Sequence, residues 1–131
     1  MFKLPSSNDY FTRNTKVVIP KSDGGYYTGF IKVKFKYLSQ KQLDNLIKQN
    51  SAEEYIEETS EEEQIDLLRN TVMYGFEGIE IGEKVLDDTD ENDWDELLST
   101  GNYSLYFRIA ILNSFFSSIT DIKGKLNRKG N

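Results

Sequence analysis

The 131-residue chain contains neither cysteine nor histidine. The missing cysteine excludes disulfide bonds and thiolate metal sites. The missing histidine removes the side chain that most often serves as a general base, a zinc ligand or a pH switch. The sequence also carries no Walker loop, dinucleotide fingerprint, Gly-x-Ser-x-Gly elbow or Ser-x-x-Lys pair. We therefore predict a protein that is not an enzyme and that uses no metal and no cofactor.

Long apolar runs are missing as well. None reaches the roughly 18 residues that a membrane-spanning helix needs, and the first residues, Met-Phe-Lys-Leu-Pro-Ser-Ser, lack the apolar stretch of a signal peptide. These features predict an intracellular protein with no membrane partner. The length suits a single domain. An aromatic content of 13% is enough to build a core despite 29% charged residues.

Charge is distributed unevenly along the chain, although the net charge is only −6. Residues 1–50 contain nine basic and three acidic side chains, residues 51–100 contain two and eighteen, and residues 101–131 contain five and one. This basic–acidic–basic pattern is compatible with the solvated faces of one soluble domain. Charge pairing inside the fold or between neighbouring copies of the chain would give the same pattern.

The clearest secondary-structure signal lies in residues 25–48. From Ile31 to Tyr37, apolar residues alternate with lysines, which predicts a half-buried strand with a cationic solvent face. A shorter strand at Thr15–Ile19 and the turn residues Asp-Gly-Gly precede it, so residues 15–38 are predicted to form a β-hairpin. After Ser39 the apolar spacing becomes helical, and Ser39 with Gln42 has the spacing of a capping box.

Helical periodicity recurs along the rest of the chain. Helices are predicted at about 40–49, 52–58, 60–74, 94–101 and 103–122. We predict an α+β fold, with an N-terminal β-hairpin packed against a mostly helical domain of four to five helices. Residues 1–123 would form a single domain with an extended arm at 1–13, and residues 124–131 a disordered basic tail. The predicted core comprises Val18, Phe30, Ile31, Val33, Phe35, Leu43, Leu46, Leu68, Val72, Phe76, Trp94, Leu97, Ile109, Leu112 and Phe116.

The last predicted helix carries two apolar stripes on separate faces. The first stripe consists of Leu105, Ile109, Leu112, Phe116 and Ile119, and the second consists of Phe107, Ile111, Phe115 and Ile122. A helix that is apolar on most sides is either central in the core or faces the core on one side and a partner on the other. Under the second alternative, we assign the second stripe to a partner.

Two acidic segments resemble known site patterns without meeting their requirements. With Asp88 as the first ligand of a calcium loop, Asp93 falls where glycine is needed and Ser99 falls where a bidentate glutamate is needed. A solvated acidic loop over Asp87–Asp93 is therefore predicted. The seven glutamates between residues 53 and 63 lie in a run with little apolar material, which favours a solvated face over a catalytic carboxylate pair.

A nucleic-acid platform is the remaining alternative read from the residues themselves. Lys32, Lys34 and Lys36 lie near Tyr26 and Tyr27, and such a set of cations and aromatic rings can bind single strands. Lysines on the solvent face of an ordinary strand give the same pattern, and they discourage edge-to-edge aggregation. Because the chain is acidic overall, we predict no nucleic-acid partner.

Several short motifs follow one another along the chain, and their order and spacing are informative. They are Val17-Val18-Ile19-Pro20-Lys21-Ser22-Asp23-Gly24-Gly25, then Phe30, Phe35 and Leu38, then Leu43-Asp44, Val72-Met73-Tyr74-Gly75-Phe76-Glu77-Gly78-Ile79, Trp94-Asp95-Glu96-Leu97-Leu98 and Tyr103–Ile122. Over nearly the whole chain this order resembles the tail assembly chaperones of long-tailed bacteriophages. Phe35 is shifted by one position, and Phe76 stands where that family usually has Trp.

The resemblance implies a non-enzymatic chaperone that binds the tape measure protein and keeps it soluble while the tail tube assembles. It implies the cytoplasm of the infected bacterial host and absence from the mature virion. The major tail tube protein and further copies of this chain are additional candidate partners. A structural tail or head–tail connector component of the virion is the alternative. For the partner contact we expect Phe107, Ile111, Phe115 and Ile122.

Overall fold

The chain forms a β-hairpin that is extended by a third strand and packed against helices, which confirms the predicted α+β class. The computed structural model describes residues 1–4 and 9–130, with side-chain surroundings for residues 1–4 and 9–119. Within this part of the chain, none of the helices combines the length and the hydropathy required to cross a membrane.

The main sheet has three antiparallel strands in the order β1-β2-β3, and two short strands form a separate hairpin. The strands are β1 (Tyr10–Pro20), β2 (Tyr26–Lys36), β3 (Met73–Glu77), β4 (Glu80–Ile81) and β5 (Lys84–Val85). The helices are α1 (Gln40–Leu46), α2 (Ala52–Glu58), α3 (Glu61–Asp66), α4 (Glu91–Asp95) and α5 (Ser104–Gly130). Short π-helical segments continue α3 over Leu67–Val72 and α4 over Glu96–Thr100.

The predicted hairpin is present, but its first strand is longer than expected. In the turn, the Lys21 N–H donates to the Gly25 carbonyl at 2.8 Å, and Gly24 has a φ of 93°, which glycine adopts without strain. β1 begins at Tyr10, so the predicted arm over 1–13 is wrong from Tyr10 onward. Pairing with β2 provides hydrogen-bond partners for this backbone. Residues 5–8 of that arm lie outside the described residues.

The two faces of the hairpin differ as the alternating pattern predicted. Ile31, Val33 and Phe35 of β2 are buried, and Val17 of β1 shares their inner face. The strand β3 was not predicted, because Met73–Glu77 is short and is interrupted by a glycine. It pairs with β2 in a register that shifts between Lys34 and Phe35, and this bulge fits the irregular segment to the sheet.

Helix α5 crosses the inner face of the sheet and extends further than predicted. The Thr15 hydroxyl donates to the Ser114 hydroxyl at 3.0 Å, which joins β1 to α5. The helix continues to Gly130, whereas the sequence predicted a disordered tail over residues 124–131; residue 131 lies outside the description. An internal glycine costs a helix only about 1 kcal/mol. Gly124 alone therefore does not end α5, and no proline follows it.

Most of the predicted core is buried, and two of the three errors share one cause. Val18 and Phe30 were expected in the core, but both are exposed because they alternate with the buried Val17 and Ile31. Leu46 is also exposed, at the last residue of α1. Nine predicted positions are buried: Ile31, Val33, Phe35, Leu68, Val72, Phe76, Leu97, Leu112 and Phe116. The remaining three are half-buried: Leu43, Trp94 and Ile109. Of these, Leu43 and Trp94 pack against the core cluster.

Candidate partner-binding surfaces

Three of the four α5 residues that were assigned to a partner face the core. Phe107, Ile111 and Phe115 are 6%, 0% and 3% exposed, so at these three positions the stripe is not free for a partner. The Ile122 side chain lies outside the described side chains. The physical reason is that α5 is central. The Phe115 ring lies 5.8 Å from Phe35 of β2, and the Phe116 ring lies 5.7 Å from Tyr55 of α2.

An apolar groove opens beside Phe115, between the open end of the hairpin, α1 and α5. Its volume is about 350 Å³, which lies at the lower end of the range for binding pockets. The apolar residues that line it come from four parts of the chain: Phe11, Leu38, Leu43, Phe115 and Ile119. Four of these five are only half-buried. The groove therefore presents apolar surface that the described residues leave accessible.

The floor of this groove continues into the core through a series of tilted aromatic ring contacts. Phe11 lies 5.2 Å from Tyr37 and 5.7 Å from Phe35, measured between ring centroids. Phe35 in turn contacts Phe115. Such tilted ring pairs add stability beyond the area they bury. The core therefore holds the floor in place, although the Phe11 ring is only half-buried and lines the open groove.

One wall of the groove is α1, which is attached to the core only loosely. None of its residues, all of which the structure describes, is buried. Leu43 packs partly against the core cluster and faces the groove. The predicted capping box is confirmed: the Gln42 N–H donates to the Ser39 hydroxyl at 3.1 Å, and the Ser39 N–H donates to the Gln42 side chain at 2.8 Å. Local hydrogen bonds thus hold α1 where packing is sparse.

The rim of the groove is cationic. Arg13 and Lys36 line it together with Tyr37, whereas none of the described residues that line it is acidic. The Arg13 guanidinium carbon lies 4.9 Å from the centroid of the Phe11 ring. This cation–π contact holds the arginine charge at the edge of the apolar floor.

A second exposed surface covers the outer face of the sheet. Phe30 is 67% exposed, and Lys16 lies opposite it on β1. Tyr26 and Val18 are exposed close to the hairpin turn. This face therefore combines single apolar side chains with lysines. Near the hairpin turn, Val18 and Tyr26 also line a pocket of about 210 Å³ together with Tyr106 of α5.

The five residues of the suggested nucleic-acid platform do not come together. Tyr26 and Tyr27 are neighbours in β2 and so point to opposite faces. The Lys34 ammonium lies 3.4 Å from the Asp88 carboxylate and forms a salt bridge with it, instead of facing a free surface. Lys36 lines the apolar groove instead.

The acidic loop is more ordered than the sequence suggested. Asp93 is only 2% exposed. Its carboxylate lies 2.6 Å from the Lys84 ammonium and accepts the Asp87 N–H at 2.8 Å. The Lys84 hydrogen bond, followed by that backbone N–H, holds the pKa of Asp93 below its ordinary value. The prediction of a fully solvated loop is therefore wrong at this position.

The other carboxylates of the loop point to separate partners. Asp88 accepts the Phe76 N–H at 3.0 Å, and Asp90 caps α4 by accepting the Asn92 N–H at 2.9 Å. The backbone N–H and then the hydroxyl of Thr89 lower the pKa of Asp87. Among the described residues, no group of three acidic side chains is placed to hold a metal ion.

Arg108 is a buried charge that the sequence analysis missed. It lies on α5 between apolar residues and is 5% exposed. Its guanidinium donates to the Leu98 carbonyl at 2.9 Å and lies 3.3 Å from the carboxylate of Glu61, one of the clustered glutamates. Arg108 therefore joins α5 to α3 and to the segment after α4. Its position among the apolar residues of α5 is the sequence feature that could have predicted its burial.

No protein-family model matches the chain, and comparison with curated proteins and with solved structures gives no significant match either.

Proposed function

We propose that this chain is a non-enzymatic tail assembly chaperone, which binds the tape measure protein of a long-tailed bacteriophage and keeps it soluble while the tail tube assembles. The observation that carries the proposal is the open apolar groove between the hairpin, α1 and α5. Amphipathic helices bind in such grooves with their apolar face. The order of sequence motifs described above supports the identity of the partner. The proposed location is the cytoplasm of the infected host.

The groove suits a partner that must later be released. Its volume of about 350 Å³ accommodates a few side chains, so one site covers only a short part of a long helical protein. Several copies along one partner would together cover its apolar stripe, and multivalent binding of this kind adds strength without tight individual sites. Because each contact is small, the major tail tube protein can displace the copies one at a time as the tube grows.

Co-expression of the full chain with the tape measure protein of the same phage tests this proposal. We expect the wild-type chain to keep that protein in the soluble fraction. Leu43→Asp places a charge in the groove wall, on a helix that buries no residue over its fully described length, and should abolish this effect. Phe30→Asp introduces the same charge on the outer face of the sheet and should leave the effect unchanged. Circular dichroism confirms that both variants fold.

Each result separates one alternative from another. If the tape measure protein precipitates with the wild-type chain, the chaperone proposal is wrong. If Phe30→Asp rather than Leu43→Asp abolishes solubility, the outer face of the sheet is the binding surface. Mass spectrometry of purified phage particles should detect no copy of this chain. A stoichiometric copy number there would instead identify a structural tail or head–tail component.

A further inference from the structure

Building on the proposed function, we propose that the groove selects an acidic amphipathic helix. The partner segment would carry apolar side chains at i, i+3, i+4 and i+7, flanked by aspartate or glutamate. The apolar stripe would rest on Phe11, Leu43 and Phe115, and the flanking carboxylates would meet Arg13 and Lys36 at the rim. This inference adds the chemistry of the partner to the binding surface identified above.

The rim cations have unused capacity for an acidic ligand. Arg13 donates one hydrogen bond, from Nη1 to the Thr12 carbonyl at 3.3 Å, and a guanidinium has five N–H donors. Neither Arg13 nor Lys36 forms a salt bridge with a described residue. Because a guanidinium can bind a carboxylate through two parallel hydrogen bonds, Arg13 is suited to orient the incoming helix.

The rest of the molecule reinforces this choice of charge. The chain carries a net charge of −6, and residues 51–100 alone hold eighteen acidic and two basic side chains. A basic partner would be attracted to the glutamates of α2 and α3. An acidic partner is repelled from those helices and attracted to the cationic rim of the groove. The charge distribution therefore favours the groove for acidic segments and disfavours it for basic ones.

A second copy of the chain fits the groove less well than a separate partner. The acidic segments that would satisfy the rim are α2 and α3. Their apolar side chains already face the core: Tyr55 is buried, and Ile56 and Ile65 pack against the core cluster. These helices therefore offer carboxylates without a free apolar stripe. The groove requires both features at once.

Fluorescence anisotropy with two labelled synthetic helices tests the inference on the full chain. The two peptides share one leucine stripe and differ only in flanking residues, glutamate in one and lysine in the other. We expect the acidic peptide to bind roughly tenfold more tightly, because two rim charges contribute. Raising the ionic strength should reduce this preference, since both rim cations are accessible to solvent.

Charge-reversed variants test whether Arg13 and Lys36 cause the preference for the acidic peptide. The double variant Arg13→Glu/Lys36→Glu should lose the preference for the acidic peptide and gain one for the basic peptide. The matched control Lys16→Glu/Lys21→Glu changes the net charge by the same amount, at exposed positions nearer the hairpin turn. It should behave as the wild type does. If the double variant does not fold, the single variants Arg13→Gln and Lys36→Gln should each reduce the preference.

Three results of the peptide experiment overturn the inference. They are equal binding of both peptides, no binding of either, and an equal loss of preference in the control variant. Self-association of the wild-type chain that the double variant abolishes would identify a second copy as the occupant and would also overturn it. Co-expression separates the two proposals. If Arg13→Glu/Lys36→Glu still keeps the tape measure protein soluble, this inference fails while the proposed function stands.

Discussion

Asp93 shows how one residue of an acidic run acquires a structural role. It lies between Asn92 and Trp94 at the start of a helical segment, and its carboxylate is almost entirely excluded from solvent. The Lys84 ammonium and the Asp87 N–H compensate for that burial. Its neighbour Asp88 fixes β3 and the Trp94 ring, whose N–H donates to the Asp88 carbonyl at 2.7 Å. These contacts link the acidic loop to the sheet.

The stability of the fold should therefore fall in acid. The folded-state pKa values of Asp93 and Asp87 are depressed, so their contribution is fully present above the unfolded value of about 3.9. It is lost as the pH falls through the lower folded values. Urea midpoints measured from pH 7 downward should decrease most steeply below pH 4. Lys84→Met removes the partner of Asp93 and should flatten this acid limb; an unchanged slope would contradict the assignment.

Arg108 should contribute more to stability than its exposed partner does. Arg108→Ala removes a buried guanidinium and leaves the Leu98 carbonyl without its donor, which should lower the free energy of unfolding by about 2–4 kcal/mol. The Glu61 side chain is 61% exposed, so Glu61→Gln should cost less than about 1 kcal/mol. Urea denaturation measures both changes. Equal losses in the two variants would show that the ion pair, rather than the carbonyl contact, carries the effect.

At the scale of elements, the strand β2 and the helix α5 depend on each other. Phe35 of β2 is fully buried and contacts Phe11 on one side and Phe115 on the other. These contacts are between elements that are far apart in the sequence. The sequence offered two apolar faces of α5, and the contact with Phe35 shows that Phe115 lies on a face turned to the core. Phe115→Asp is consequently expected to unfold the chain, and it cannot report on partner binding.

A matched pair of phenylalanines tests this packing. Phe35→Ala should lower the free energy of unfolding by about 3–5 kcal/mol, as truncations of buried phenylalanine do. Phe30→Ala changes the same strand on its exposed face and should alter the free energy by about 0.5 kcal/mol or less. Chemical denaturation gives both numbers. A loss below about 1 kcal/mol for Phe35→Ala would exclude this strand face from the core.

At the scale of the whole molecule, the apolar groove has a tightly packed floor and a loosely packed wall. The sheet, α5 and the segments around α3 and α4 share a single core, whereas α1 buries none of its residues, all of which are described. The groove lies between the two, with a floor in the core and a wall in α1. A binding site of this kind combines a fixed apolar surface with a boundary that can adjust to its ligand.

Native-state hydrogen exchange should resolve this difference. Amides of α1 are expected to exchange through local opening, at a free energy well below that of global unfolding. Amides of β2 from Lys32 to Phe35, where the strand pairs with β1 and β3, should exchange only through global unfolding. The same holds for amides of α5 near Ile111, which is fully buried. Equal protection of α1 and β2 would show that α1 belongs to the cooperative core, and the groove would then have two rigid walls.

The sequence by itself determined the elements whose signals are local. Alternation over Ile31–Tyr37 predicted the inner face of β2, and the glycines after Asp23 predicted the hairpin turn. The cap at Ser39 marked the start of α1, where its hydroxyl accepts the expected backbone N–H of Gln42. Each of these signals involves residues within a few positions of one another. Periodicity and capping chemistry are therefore sufficient to predict them.

Only the tertiary structure decided which apolar surfaces stay free. The two stripes of α5 are equivalent in the sequence, and the contacts of Phe115 with Phe35 and of Phe116 with Tyr55 bury parts of both. The groove likewise combines residues from the hairpin, α1 and α5, and the burial of Asp93 depends on Lys84 across a turn. Such features depend on which distant segments pack together, and that choice is made by the whole fold rather than by any one segment.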